Sequence, residues 1–155
     1  MELFFSEKEI DEQILDQIIR PPRSGYTQHD LGPVQKNING IQIQRTDFQV
    51  KNKNNQNIHA SIYQPLELQS NQLIIYLHGN AGSRLEAAPM LNYFIPYGLS
   101  VLTFDFSGCG MSEGQYITLG CKEVDDLDAI MIWQNKNSEQ APFFRQVELR
   151  VLIKD

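Results

Sequence analysis

Five consecutive apolar residues, Leu73-Ile74-Ile75-Tyr76-Leu77, run straight into the small-residue turn His78-Gly79-Asn80-Ala81-Gly82. A strand with water on one face alternates apolar and polar side chains, whereas one covered on both faces is apolar throughout. The run therefore predicts a central parallel strand, and a parallel strand reaches its neighbour only through a crossover, usually a helix. Arg84 to Tyr97 supplies that helix, with Leu85, Ala88, Leu91 and Ile95 at helical spacing and Gly98 just past its end. Val101, Leu102, Phe104 and Phe106 form the next strand, so the unit reads strand, helix, strand with a right-handed crossover. Thr118 to Gln134 predicts a further helix, with Val124, Leu127 and Met131 on one stripe and Glu123, Asp125 and Asp126 near the positive end of its dipole. The alternation defines an α/β architecture.

Upstream, Ile41, Ile43, Phe48 and Val50 fall mostly on alternating positions of Ile41 to Val50, and Ile58, Ala60 and Ile62 do the same in Ile58 to Tyr63. The polar link Lys51 to Asn57 makes these two strands an antiparallel hairpin. Glu7 to Arg20 spaces Ile10, Ile14 and Ile18 four apart, the pattern of an amphipathic helix stopped by Pro21 and Pro22. Arg23 to Asn39 carries Gly25, Gly32 and Pro33 without a sustained period and reads as a surface connection with little chemistry. We divide the chain into an N-terminal helix and extension, 1–40, and one α/β domain, 41–155.

Composition closes several classes. Hydrophobic residues at 41% and charged ones at 21% are globular usage, and 155 residues suffice for one core. The formal charge of −6 repels a phosphate backbone, which argues against nucleic acid as a partner. No stretch approaches the roughly 20 apolar residues of a transmembrane helix, and the acidic N-terminus has no secretory pattern. Two cysteines, Cys109 and Cys121, suit free thiols in a reducing compartment, so the expected location is cytoplasmic.

The turn His78 to Gly82 holds the most chemistry. Small residues at a strand's C-terminal edge, ahead of a helix, leave backbone amides free to face a ligand. In acyl transfer such amides stabilise the oxyanion, and each well-placed donor removes about 3 to 4 kcal/mol of barrier. On these residues alone a plain strand-to-helix turn fits equally well.

LIIYLHGNAG (Leu73 to Gly82), FDFSGCGMSEG (Phe104 to Gly114) and LGCKEVDDL (Leu119 to Leu127) together resemble the front half of α/β-hydrolases of the serine-aminopeptidase-like group. IIRPPRSGYTQHDLGP (Ile18 to Pro33) resembles the N-terminal extension of its protozoan and plant-type members, so the likeness runs from about residue 18 to about residue 135. The resemblance implies a partial α/β-hydrolase fold: an N-terminal helix, an antiparallel hairpin, then β-α-β-α with parallel strands, truncated before the nucleophile elbow. It implies a serine hydrolase acting on an ester, thioester or peptide bond, without cofactor or metal. The Asn80 amide is then the oxyanion donor and Ala81 the second, while the His78 side chain is structural.

Gly110-Met111-Ser112-Glu113-Gly114 fits G-x-S-x-G, the pattern of a nucleophile elbow between a strand end and a helix start. Here the strand ends near Phe106 and the helix begins near Thr118, so Ser112 sits mid-loop. The triad order Ser, acid, His also fails, because the histidines, His29, His59 and His78, all precede Ser112. We assign Ser112 to the loop and expect no nucleophile in this chain. In the resembling family Asp105 and the glycines after it shape this loop beside the active site.

Cys109 shows no base or orienting group and reads as a loop thiol. His29 beside Asp30, with His59 apart, lacks the spacing of a zinc site. Glu123, Asp125, Asp126 and Asp128 read as a solvated helix start, Trp133 as a core or rim anchor, and the turn lacks the lysine and glycine spacing of a nucleotide loop. The alternative to an enzyme is a non-catalytic scaffold or binding module derived from such a hydrolase. Val147, Leu149, Val151 and Ile153 alternate as a strand but bring no G-x-S-x-G behind them. Without a nucleophile strand, Leu73 to Leu77 would expose a flat apolar edge, and self-association through it follows unless Val147 to Ile153 fills the place.

Overall fold

The structure, a computed structural model, describes residues 14–20, 22–67, 70, 72–138 and 148–153, the side chains of residues 138 and 148–153 excepted. Glu7 to Gln13 of the expected first helix, with Ile10, and Pro21 and Val147 lie outside the described residues. The helix itself, α1, is described over residues 14–19, where Ile14 and Ile18 are 51% and 45% exposed, so the stripe they form covers no core among the described residues.

Six strands, β1 (Gln35–Ile38), β2 (Ile41–Lys51), β3 (Asn57–Pro65), β4 (Gln72–Leu77), β5 (Ser100–Phe104) and β6 (Glu148–Ile153), make one sheet in the order β1-β2-β3-β5-β4-β6. β1, β2, β3 and β5 pair antiparallel in turn, and β4 runs parallel to both β5 and β6. β1 falls inside the segment read above as irregular. It is held by a two-residue hairpin in which Asn39 and Gly40 both take positive φ, 51° and 88°, the turn that Asn-Gly favours because its twist matches the strands.

The sheet is covered on both faces, and β4 shows why its sequence is apolar throughout. Leu73, Ile75 and Leu77 join Ile58, Leu102 and Phe104 under helix α3 (Cys121–Ser138), whose Ile130 is fully buried. Ile74 and Tyr76 point the other way, joining Tyr63 and Val101 under Ala87, Leu91 and Ile95. Each such side chain removed from water contributes roughly 1.5–3 kcal/mol, so the alternating directions of β4 anchor both layers. On α3, Trp133 stacks on Phe48 of β2 and fastens the helix to the antiparallel end of the sheet.

Three expectations shift in detail. The crossover is broken into a 3₁₀ turn (Arg84–Ala87), helix α2 (Ala88–Phe94) and a second 3₁₀ turn (Ile95–Tyr97), ended by Gly98 at φ 74°. Prolines sit at the start of α2 and of the final turn, and Ala87 rather than Ala88 faces the core. α3 starts at Cys121 because Thr118 stands before it as a cap, its hydroxyl accepting from the Lys122 amide at 2.7 Å. Val124 is 56% exposed.

β6 lies in the place where an unpaired β4 edge was expected. Gln72 to Leu77 pair in register with Glu148 to Ile153, so the β4 edge is covered and the sheet's outer strands are β1 and β6.

Candidate active site

β4 ends at Leu77, and the chain turns at once: the Gly82 amide donates to the Gly79 carbonyl at 3.0 Å, with Ala81 at φ 58°. For alanine that conformation costs about 1–2 kcal/mol, because its Cβ crowds the following carbonyl. Among the described residues neither the Asn80 nor the Ala81 amide donates a hydrogen bond. Both residues wall an open cleft of ≈ 210 Å³, with Phe106, Cys109 and Ile117 opposite and Leu119, Gly120 and Glu123 at the entry to α3.

His78 is buried, and both ring nitrogens are engaged. The Phe106 amide donates to Nε2 at 3.1 Å, so that nitrogen is unprotonated, and Nδ1 carries the proton that it donates to the Gly79 carbonyl at 2.8 Å. The ring is thereby a brace between the β4 corner and the loop after β5. The resemblance implied a structural part for this side chain.

That loop, residues 105–117, is organised around Asp105, which is completely buried. Its Oδ1 accepts from the Arg84 amide at 2.7 Å, and its Oδ2 from the Met111 amide at 3.0 Å and the Tyr26 hydroxyl at 2.5 Å. The Arg84 guanidinium also donates through Nε to the Tyr26 oxygen at 2.6 Å and lies 3.7 Å from the Asp105 carboxylate. Burial, and then the Asp105 carboxylate, raise the Tyr26 hydroxyl well above the ordinary tyrosine range. Gly110 sits at φ 46° directly over this carboxylate, where a Cβ would come within 2.4 Å of it. Only glycine fits there.

Ser112 is 1% exposed. Its hydroxyl donates to the Asp105 carbonyl at 2.6 Å and accepts from the His59 amide at 2.9 Å, so the G-x-S-x-G serine stitches the loop to β3. It does not line the cleft. Cys109 does, but burial, then the Asp105 and Glu123 carboxylates, push its thiol up to about 11, and at neutral pH it is protonated.

The acidic opening of α3 is not simply solvated. Asp126 is fully buried, with Oδ1 accepting from Asn52 Nδ2 at 2.7 Å and Oδ2 from the Ser107 amide at 2.7 Å; burial raises its pKa against those bonds. Glu123 caps the helix through the Thr118 hydroxyl and amide and the Gly120 amide, and these bonds outweigh a burial effect of opposite sign to lower its pKa.

The N-terminal extension, read as poor in chemistry, is tied into the loop. Besides Tyr26, Arg23 donates to the Ser112 and Gly114 carbonyls, and Arg20 Nη2 reaches the Tyr116 hydroxyl at 2.8 Å. His29 lies exposed in a short 3₁₀ turn, Gln28–Leu31, and His59 is half-buried on β3. Among the described residues no group of three or more histidine, cysteine or acidic side chains could hold a metal ion.

The chain matches no protein-family model. Over 64 residues, 41% of the chain, it is 36% identical to an uncharacterized protein of Acanthamoeba polyphaga mimivirus, 21% of which is covered. Among solved structures it is similar to the Pyrococcus furiosus esterase Pf2001, with a TM-score of 0.62 and 26% identity over 87% of this chain and 47% of the esterase. It is similar in fold to an alpha-beta serine hydrolase homologue from Coxiella burnetii, at a TM-score of 0.54 and 21% identity over 70% of this chain and 50% of that one. XC6422 from Xanthomonas campestris, an α/β serine hydrolase without lid, gives 0.55 and 18% with the same coverage. The chain has a partial α/β-hydrolase fold and spans about half the length of the structures it matches. No helix among the described residues is long and apolar enough to cross a membrane.

Proposed function

We propose that this chain carries the oxyanion-forming half of a serine hydrolase, one that cleaves an ester, thioester or amide of a small-molecule or peptide substrate through an acyl-enzyme. The observation that carries this is the pair of unspent amides, Asn80 and Ala81, at the C-terminal end of a parallel strand and on the wall of a cleft. The esterase and serine-hydrolase neighbours support it. In this reading Asn80 is the principal donor, Ala81 the second, and His78 holds the corner to the β5 loop.

Neither candidate nucleophile is fit to attack a carbonyl held there. The Ser112 hydroxyl is committed to main-chain partners outside the cleft, and the Cys109 thiol is protonated. A second reading, a non-catalytic scaffold, draws support from the same two side chains, the committed Ser112 hydroxyl and the protonated Cys109 thiol.

Two measurements test the proposal. A fluorophosphonate should leave the native chain unlabelled, and stoichiometric labelling of a serine would overturn the assignment. Titration with butyrate, whose carboxylate mimics the oxyanion, should shift the Asn80 and Ala81 amide resonances above all others; unmoved amides would leave the corner a plain turn.

A further inference from the structure

Beside Arg84 lies a second, smaller cavity of ≈ 140 Å³, lined by Gln28, Asp47, Phe48, Gln49, His59 and Arg84. Arg84 is 2% exposed, and a buried guanidinium ordinarily satisfies its five donors. Here Nε donates to Tyr26 and Nη2 meets only the Met111 sulfur at 3.4 Å, while Nη1 is buried with no partner. Asp105 does not complete the set, because its oxygens are taken by Tyr26 and two main-chain amides and the guanidinium stays 3.7 Å away.

The rest of the cavity is polar in a particular way. Asp47 is already satisfied by Ser61 Oγ at 2.6 Å, Gln28 Nε2 at 2.9 Å and Arg45 Nε at 3.1 Å, and its charge is matched by Arg45. The side chains of Gln49, at the mouth, and of half-buried His59 have no hydrogen-bond partner among the described residues. Each has an N–H donor to offer. A buried cation with unused donors, flanked by two neutral side chains with donors of their own, selects an acceptor that is small and negatively charged.

We propose that this cavity is a binding site for a small oxyanion, a phosphate or carboxylate group, recognised by the Arg84 guanidinium together with the His59 and Gln49 side chains that line it. It is separate from the Asn80–Ala81 corner and independent of the function proposed for it. The net charge of −6 gives no long-range attraction, so recognition is local and depends on the fork geometry of the guanidinium.

The test titrates the full chain at constant ionic strength with inorganic phosphate in one arm and acetate in the other, following the Arg84 side-chain and His59 ring resonances. Saturable shifts confined to these groups are expected, and the tighter arm identifies the tetrahedral or planar group. Gln49→Glu, at an exposed position, puts a competing carboxylate at the mouth and should weaken binding at least tenfold. Arg84→Lys keeps the charge beside Asp105 but not the fork and should abolish saturation, provided circular dichroism shows it folded. Absence of saturable shifts in both arms, or a Gln49→Glu chain that binds as tightly as the parent, would mean that the guanidinium holds a bound water only and would overturn the proposal.

Discussion

The corner at residues 78–82 and the loop at 105–114 leave the same ends of two adjacent parallel strands, β4 and β5, and both are rich in small residues. In the loop most polar groups are paired, within it or with Tyr26, Arg84 and β3, the buried Ser107 hydroxyl excepted. Asp105 gathers a side-chain hydroxyl and two amides, Ser112 bridges two main-chain groups, and the Gly108 amide donates to the Glu113 carbonyl at 3.0 Å. The corner has one main-chain closing hydrogen bond, between Gly82 and Gly79, whose carbonyl the His78 ring also meets, and the amides of its cleft-lining residues Asn80 and Ala81 have no partner among the described residues. A glycine-rich turn whose donors are all paired has none to offer a ligand, whereas one with unpaired amides does. The loop carries the serine motif, and the corner carries the unspent donors.

The most damaging change should be Asp105→Ala. It removes three hydrogen bonds and leaves the Arg84 guanidinium buried without a counter-charge, so a loss of about 3–5 kcal/mol is expected. Against the 5–15 kcal/mol typical of a domain this consumes much of the stability. Urea unfolding measures it, and a loss below about 1 kcal/mol would show that the loop does not depend on this carboxylate.

Cys109 stands between the two regions, on the loop but lining the cleft. Burial holds its thiol at about 11 in the folded chain, above the ordinary 9.0. A group whose pKa is raised by folding contributes its full stabilisation below the unfolded value and loses it as pH rises through the folded one. Unfolding free energy should therefore fall between about pH 9 and 11, by up to about 3 kcal/mol. Cys109→Ala should flatten this part of the profile. At pH 8 native alkylation should be confined to the exposed Cys121, and equal labelling of both thiols would contradict the burial of Cys109.

Ser112→Ala should cost less, about 1–3 kcal/mol, by leaving the Asp105 carbonyl and the His59 amide unpaired. Chemical denaturation supplies the number. Loss of an esterase activity without loss of stability would make Ser112 a catalytic residue and reverse the comparison.

Strands β2 to β5 were legible because their apolar residues keep a pattern: continuous in β4, alternating as Ile41 and Ile43 in β2 and as Ile58, Ala60 and Ile62 in β3, although burial in β3 runs unbroken from Ala60 to Tyr63. The loop position of Ser112 was legible from its distance to strand and helix. β1 was missed although Asn39-Gly40 signals a hairpin, because Gln35-Lys36-Asn37-Ile38 has a single apolar member to mark a buried face. Tyr26, Arg84 and Asp126 were missed for a different reason. Their partners are distant in sequence, 79 residues for Tyr26 to Asp105 and 74 for Asn52 to Asp126, and no local pattern reports a hydrogen bond across that span. An aspartate on a helix also gives the same sequence signal whether it faces water or a buried asparagine.

The smallest effect belongs to the corner, and it tests what the corner is for. Ala81 holds a left-handed conformation that costs alanine about 1–2 kcal/mol. Glycine at this position adopts it freely but gives up about 0.5–1 kcal/mol through the entropy of the unfolded chain. Ala81→Gly should therefore be neutral to about 1 kcal/mol stabilising, in contrast to every change proposed in the loop. A substantial loss would mean that the Ala81 methyl packs in the cleft and that the turn is not strained. If the variant is as stable as the parent while butyrate no longer shifts the Asn80 amide, the strain has a purpose: alanine restricts a turn that glycine would let wander, and the two amides stay aimed at one point in the cleft.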